Sequence, residues 1–334
     1  MTRLHLMLTL GLGLAACGDG NPISGDGPGD GPDDGRPGGP QVQATGEVTG
    51  LRFDADADQI VVEDLPFDGE DGVYTRVAET TALEDFGVYE SRSGTEEGRR
   101  KYYAVFRETD SGAGSVAAIA SPDYQDVGFG GTVATRNGTT DMPTAGEYVY
   151  TGVYGGVRTP EGRTGIELTE GDVLLEIDVA DFDGSGAIEG RIGDRTRYRV
   201  DGTALGALPD VVFRTTSISE GGVIDAGDAL TRNNDGTERD NGTYQGLFVG
   251  EDGEEIVGSV TLDGTFYSSR VQETYRDQNG QTATRMLSYE DYLDLRDRAA
   301  DGDPGALARF GNTTVIETAE DFDVQERGVF TAAD

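Results

Sequence analysis

The chain has one histidine, one cysteine and no tryptophan in 334 residues. His5 and Cys17 both lie near the start, so the body of the chain has neither imidazole nor thiol. A Ser-His-Asp triad, a Cys-His pair, a Cys/His zinc site and a histidine-ligated haem are therefore excluded from it. No internal disulfide can form. Lys101 is the only lysine, and 26 Lys+Arg face 63 Asp+Glu, a net charge of −37. Such a field repels nucleic acid and anionic membrane surfaces and favours solubility. Catalysis would have to rest on carboxylates, tyrosine, Lys101 or an oxygen-ligated metal, and no cofactor is expected.

Long apolar runs are also missing. The stretch from Leu4 to Leu14 is broken by His5, Thr9 and two glycines. It falls short of the about 20 residues that span a bilayer, but has the length of a signal-peptide core behind the positive Arg3. It ends in Leu14-Ala15-Ala16-Cys17, which resembles the lipobox of bacterial lipoproteins. That resemblance implies removal of residues 1–16 and acylation of the Cys17 thiol. Membrane attachment is then expected through lipid alone. Gly18, rather than Asp, in the second mature position leans towards the outer membrane and a cell-surface location.

Residues 17–44 read as the lipidated cysteine and a tether. Nine Gly, five Asp and five Pro fill residues 18–40 almost completely, with Ile23 the one large apolar group. Such a segment cannot offset its ordering entropy by burial, and as a coil it spans roughly 25 Å root-mean-square.

From Thr45 onward short β-rich runs alternate with Gly/Asp turns, and 52 glycines suit turns and bulges better than helices. Runs at 59–64, 86–92, 100–108, 115–120 and 129–136 make one β subdomain, residues 45–138. Eight further runs are expected in residues 139–334: 147–154, 172–181, 187–192, 196–200, 211–218, 243–249, 255–262 and 324–331. Periodicity alone fits a closed antiparallel barrel or an open sandwich. The connections at 201–210, 219–242 and 276–323 read as long loops, with 219–242 the most exposed. Within the last, Ser288 followed by an acid at Asp291 is a helix start, and Tyr292, Leu295 and Ala299 recur at helical spacing.

Residues 181–188 look like the opening of a calcium loop, with Asp181, Asp183 and Ser185 as oxygen ligands and Gly186 at the turn. The twelfth position, which needs a bidentate acid, is Ile192. The segment therefore reads first as a β-turn, with weak cation binding as the alternative. The acids at 54–58 read as a solvated turn. Asn137, Asn241 and Asn312 read as turn residues, and Tyr148, Tyr150 and Tyr154 as a stripe of barrel wall.

The stretches 143–156, 173–192, 242–260 and 327–331 resemble the barrel domain of transferrin-binding-protein-B-like surface lipoproteins. The most specific is 242–260, with its Gly246-x-Phe248-x-Gly250 run followed by acids and Gly258. The resemblance implies an all-β chain: a β handle-like subdomain, then an eight-stranded antiparallel barrel with one inserted helix. It covers a single handle-plus-barrel lobe. It implies a non-enzymatic surface module that binds a protein or small nutrient ligand at exposed loops, in nutrient or iron capture. A carboxylate-based extracellular hydrolase is the alternative, although no acid pair stands out among 63.

Overall fold

The computed structural model describes residues 41–68, 72–77, 80, 82–91, 101–122, 126–179, 186–219, 221–233 and 235–334. Strand accounts for most of these residues, in two antiparallel sheets.

The first sheet holds β1 (Gln41–Gly46), β2 (Gly50–Asp54), β3 (Gln59–Glu63), β4 (Val73–Arg76), β5 (Gly87–Ser91), β6 (Tyr103–Glu108), β7 (Gly114–Ala120) and β8 (Gly130–Arg136). Their order is β1-β8-β7-β6-β5-β4-β3-β2. β1 and β2 are the two edges, yet only Glu47, Val48 and Thr49 join them, so the sheet curls until its edges nearly meet. Strand pairing begins at Gln41, which places residues 41–44 of the expected tether inside the sheet.

Alternation explains this curl. Ala104, Phe106, Ala117 and Ile119 point into its concave side with Tyr74, Tyr89 and Tyr102. Val105, Val116, Ala118 and Ala120 point the other way, against the second sheet. β7 is thus apolar on both faces, and its SVAAIA run reads as continuous rather than alternating.

The second sheet holds β9 (Glu147–Pro160), β10 (Glu167–Asp178), β11 (Gly186–Tyr198), β12 (Ala204–Ala207), β13 (Val211–Ser219), β14 (Val223–Arg232), β15 (Glu238–Val249), β16 (Glu255–Arg276), β17 (Thr282–Leu287) and β18 (Thr313–Ala333). Helices α1 (Tyr289–Ala300) and α2 (Pro304–Phe310) lie between β17 and β18. β10 pairs with both β9 and β11, which closes a ring of eight strands, with β12 and β17 attached outside it.

The eight-stranded barrel is as expected, but two of its members differ from the sequence reading. Residues 187–192 and 196–198 belong to one continuous strand, β11, whose pairing with β10 shifts register between Gly193 and Thr196 without breaking the strand. The missing eighth strand is β14, inside the expected loop 219–242. Its acids and glycine disguise it, yet Ile224, Ala229 and Leu230 are buried. Gly227 is required there, because a Cβ would lie 2.5 Å from the Tyr244 ring. Loop 201–210 contains β12, and 276–323 contains β17, both helices and half of β18.

The barrel is filled by its own side chains. Tyr150, Tyr154, Phe213, Tyr244, Phe248 and Phe330 pack with Ile, Val and Leu from all around the ring. Inward glycines make room for the rings: a Cβ on Gly328 would lie 2.1 Å from Tyr154, and one on Gly258 2.2 Å from Phe330. This small-against-large pairing accounts for the glycine-aromatic rhythm of β9, β15, β16 and β18. The tyrosine stripe is therefore interior wall, with Tyr148 half-buried at its end.

Candidate binding surface

One end of the barrel interior is polar. Glu326, from β18, accepts from Arg195 at 2.5 Å, Tyr154 at 2.6 Å and Thr169 at 3.0 Å. Arg158 lies 3.1 Å from its other oxygen and also donates to Glu167 at 2.6 Å. Arg197 donates to Glu167 at 3.0 Å and to Ser269 at 3.0 Å. Burial by itself would raise the Glu326 carboxyl, but the guanidiniums of Arg195 and Arg158 and the bonds from Arg195 and Tyr154 outweigh it. Its pKa falls to about 2. Asp240 differs: burial raises its pKa, and the Thr231 hydroxyl and Arg239 offset this only partly. Glu167 and Glu326 are both held by arginines, whereas one oxygen of Asp240 is buried without a hydrogen-bond partner.

From this polar end the β16–β18 hairpin continues beyond the barrel. Barrel pairing of β16 with β15 stops at Gly264, and that of β18 with β9 stops at Val324. The hairpin runs on to Glu273 paired with Thr313. The strand extension from residue 265 to 276 measures roughly 40 Å at strand rise. With β17 and the two helices it forms a flap.

Aromatic and arginine side chains clasp the root of the flap. Phe266 and Phe322 stack at 5.0 Å between ring centres. Arg158 and Arg197 lie 5.8 and 5.5 Å from Phe266, and Arg163 lies 4.0 Å from Phe322. Arg239 sits 3.8 Å over Tyr267 and reaches Glu317 at 3.3 Å. A desolvated cation–π contact of this kind contributes about 2 kcal/mol.

The helices cover one face of the flap. Ser288 caps α1 by accepting from the Asp291 N–H, and Asp303 caps α2 ahead of Pro304. Leu295, Ala299 and Ala306 bury against Leu287 and Phe310. Beneath them Glu273 is almost fully enclosed and binds Arg309 and Arg285, each Nε at 2.8 Å. The bond from Arg309 leads in lowering its pKa. Tyr289 bonds to the backbone of Ala207, and α1 packs on β12, which fixes the helices to the barrel rim.

The opposite face is open. Met286, Gln272 and Thr314 form one cross-strand row there, and Arg270 with Ile316 the next row on that face. Five of the nine exposed large apolar side chains among the described residues lie on the flap: Tyr275, Met286, Leu307, Val315 and Ile316. At its root lies a cleft of about 450 Å³ lined by Asp126, Glu161, Asp263, Asp323 and Arg239.

The residues singled out in the sequence are distributed as follows. Cys17, Asp181, Asp183 and Ser185 lie outside the described residues. Ile192 is fully buried in the barrel core, so the twelfth position of a calcium loop is closed to any ligand. No group of three or more acids could hold a metal ion among the described residues. Asp54 and Asp58 shape the β2–β3 turn, the first by accepting from Asp56 and Ala57, the second by holding Arg76. Asn241 is a strand residue of β15, opposite Asp263, rather than a turn residue. The strands of the flap carry Thr and Glu on open faces, so no apolar alternation marks them in the sequence. The aromatic pair at 266–267 beside Phe322 was the available signal.

No helix among the described residues is long and apolar enough to cross a membrane. No protein-family model and no curated protein sequence matches the chain. Among solved structures it is similar to transferrin binding protein B. A single mutant of that protein from Haemophilus parasuis Hp5 is 14% identical, with a TM-score of 0.39, covering 87% of this chain and 44% of that one. A double mutant from the same organism is 13% identical, with a TM-score of 0.37 and the same coverage. Intact Ap-TbpB, with N and C lobes, is 10% identical, with a TM-score of 0.36, covering 87% and 45%. This chain spans less than half the length of those structures.

Proposed function

We propose that this chain is a non-enzymatic binding module, held by lipid on Cys17 at the outer face of the outer membrane. Residues 17–40 serve as the tether, 41–138 as the handle-like half and 139–334 as the barrel. The observation that carries the reading is the flap. A barrel filled by its own side chains carries a projecting flap on which five of the nine exposed large apolar groups of the described residues gather. Large exposed apolar groups rimmed by charge mark interaction surfaces. A partner protein is the occupant that such a surface suits. The sequence resemblance of the barrel strands extends this to capture of a nutrient- or iron-carrying partner.

The test is capture from growth medium by the full chain, followed by mass analysis of what is bound. The reading expects a macromolecular partner recovered chemically unchanged, and palmitate label that depends on Cys17. Turnover of the captured molecule would refute the non-enzymatic role.

A further inference from the structure

We infer that the outer edge of β18, from Thr313 to Asp321, accepts an extended basic segment of a partner protein as an added strand. This deepens the binding-module reading and rests on it. Between Thr313 and Ala319, β18 is paired only with β16, and its other edge has no strand partner among the described residues. Residues 314–319 are all exposed, with Val315 at 40% and Ile316 at 41%.

Sheet edges are ordinarily blunted by charged side chains, lysine above all, by proline, bulges or short length. Here a register shift and most of the acids lie between Ala319 and Asp323, and Thr313–Ala319 pairs regularly. Residues 313–323, TTVIETAEDFD, contain no lysine, arginine or proline, and five of them are β-branched. The segment is therefore a strong strand former with an open row of backbone donors and acceptors, the arrangement that peptide strand addition uses.

Charge selects the occupant. Glu320 and Asp321 lie at the lower end of this edge, and the strand runs down to Asp323 in the cleft that Asp126, Glu161 and Asp263 also line. Arg239, the cleft's cation, is engaged by Glu317 and Tyr267. A second copy of a chain with a net charge of −37 would bring like charges together along the shared edge. A segment alternating basic and apolar residues sets its apolar positions on the open face beside Ile316 and carries positive charge to meet the acids.

The probe is a labelled nine-residue peptide alternating arginine and valine, titrated against the purified full chain by fluorescence anisotropy. Methylation of alternate peptide nitrogens, which removes strand donors but keeps charge, should weaken binding at least tenfold. Glu320→Lys with Asp321→Lys should weaken it at least tenfold. Asp294→Lys with Asp297→Lys, an equal charge change on the exposed face of α1, should stay within twofold. Circular dichroism of each variant confirms the fold. Equal binding of the methylated peptide, or equal loss in both charge variants, would overturn strand addition in favour of diffuse attraction. Dimerisation of the chain alone that Ile316→Lys abolishes would overturn the basic occupant in favour of a second copy. If the chain captures nothing from medium but the peptide results hold, the edge stands and the wider binding role falls.

Discussion

The ring of Phe86, just before β5, lies on Gly155 of the barrel wall, where an added Cβ would come within 2.8 Å of two ring carbons. Phe86 is 6% exposed and joins the apolar layer between the two sheets, with Val88, Val105, Val157 and Val329. The glycine is thus the seat that lets the first sheet approach the barrel.

Gly155→Ala should cost about 1–3 kcal/mol by overpacking, and Phe86→Ala about 3–5 kcal/mol through the cavity it leaves. Combined, they should cost less than their sum, because the truncated side chain no longer meets the new methyl. Urea unfolding of the four forms measures this coupling. Simple additivity would mean that the two residues do not share a seat.

Acid should loosen the barrel through Glu326. Its folded pKa of about 2 lies below the ordinary 4.5, so its stabilisation is present above pH 4.5 and is lost as pH falls towards 2. Glu326→Gln should remove that part of the pH dependence. It should also cost about 3–5 kcal/mol at neutral pH, because Arg195 is left buried without its counter-charge. Urea midpoints at pH 7, 4 and 3 for both forms report both effects.

The β14–β15 connection separates turn from strand. Replacing residues 234–236 with Asn-Gly should shift the thermal midpoint by only a few degrees, since the hydrogen bonds of Asn233, Asp235, Gly236 and Thr237 run within the turn and to the adjacent Arg232. Deleting 228–240 removes buried Ala229, Leu230, Thr231 and Asp240 and should abolish cooperative unfolding. Calorimetry of the two forms distinguishes a trimmed turn from a broken barrel.

Anchoring is checked at one atom. Cys17→Ala should abolish palmitate incorporation and leave an uncleaved precursor. Equal labelling of both forms would show that the Leu14–Cys17 motif is not used.

The all-β class and the inserted helix were legible because periodicity and capping are local signals. Periodicity fits a barrel or a sandwich alike, and the eight-stranded barrel was what the family resemblance implied. Tyr150 and Tyr154, or Val173, Leu175 and Ile177, alternate as a buried face must. The helix of Ser288 and Asp291 is joined by a second, opened by Asp303 and Pro304. β14 escaped because its outward positions are acids and its inward Gly227 yields space to Tyr244, a residue seventeen positions away. The flap escaped for a related reason: β16 and β18 keep pairing after their apolar alternation ends, and stability there comes from Arg–aromatic contacts between distant segments. The Glu326 network was illegible among 63 acids, since only closure of the ring brings Arg158, Arg195 and Glu326 together.

The central claim is that binding resides on the flap. Thr265 pairs with Asp323, so a short turn can replace residues 266–322 while the ring of eight strands stays intact. The measurement is the dissociation constant of the captured partner for the full chain and for this flapless form, each shown to be folded by circular dichroism. A loss of affinity of about a hundredfold or more, roughly 2.7 kcal/mol, is the expected result. Equal affinity for the two forms would contradict the account and move the binding surface to the first sheet or the barrel wall.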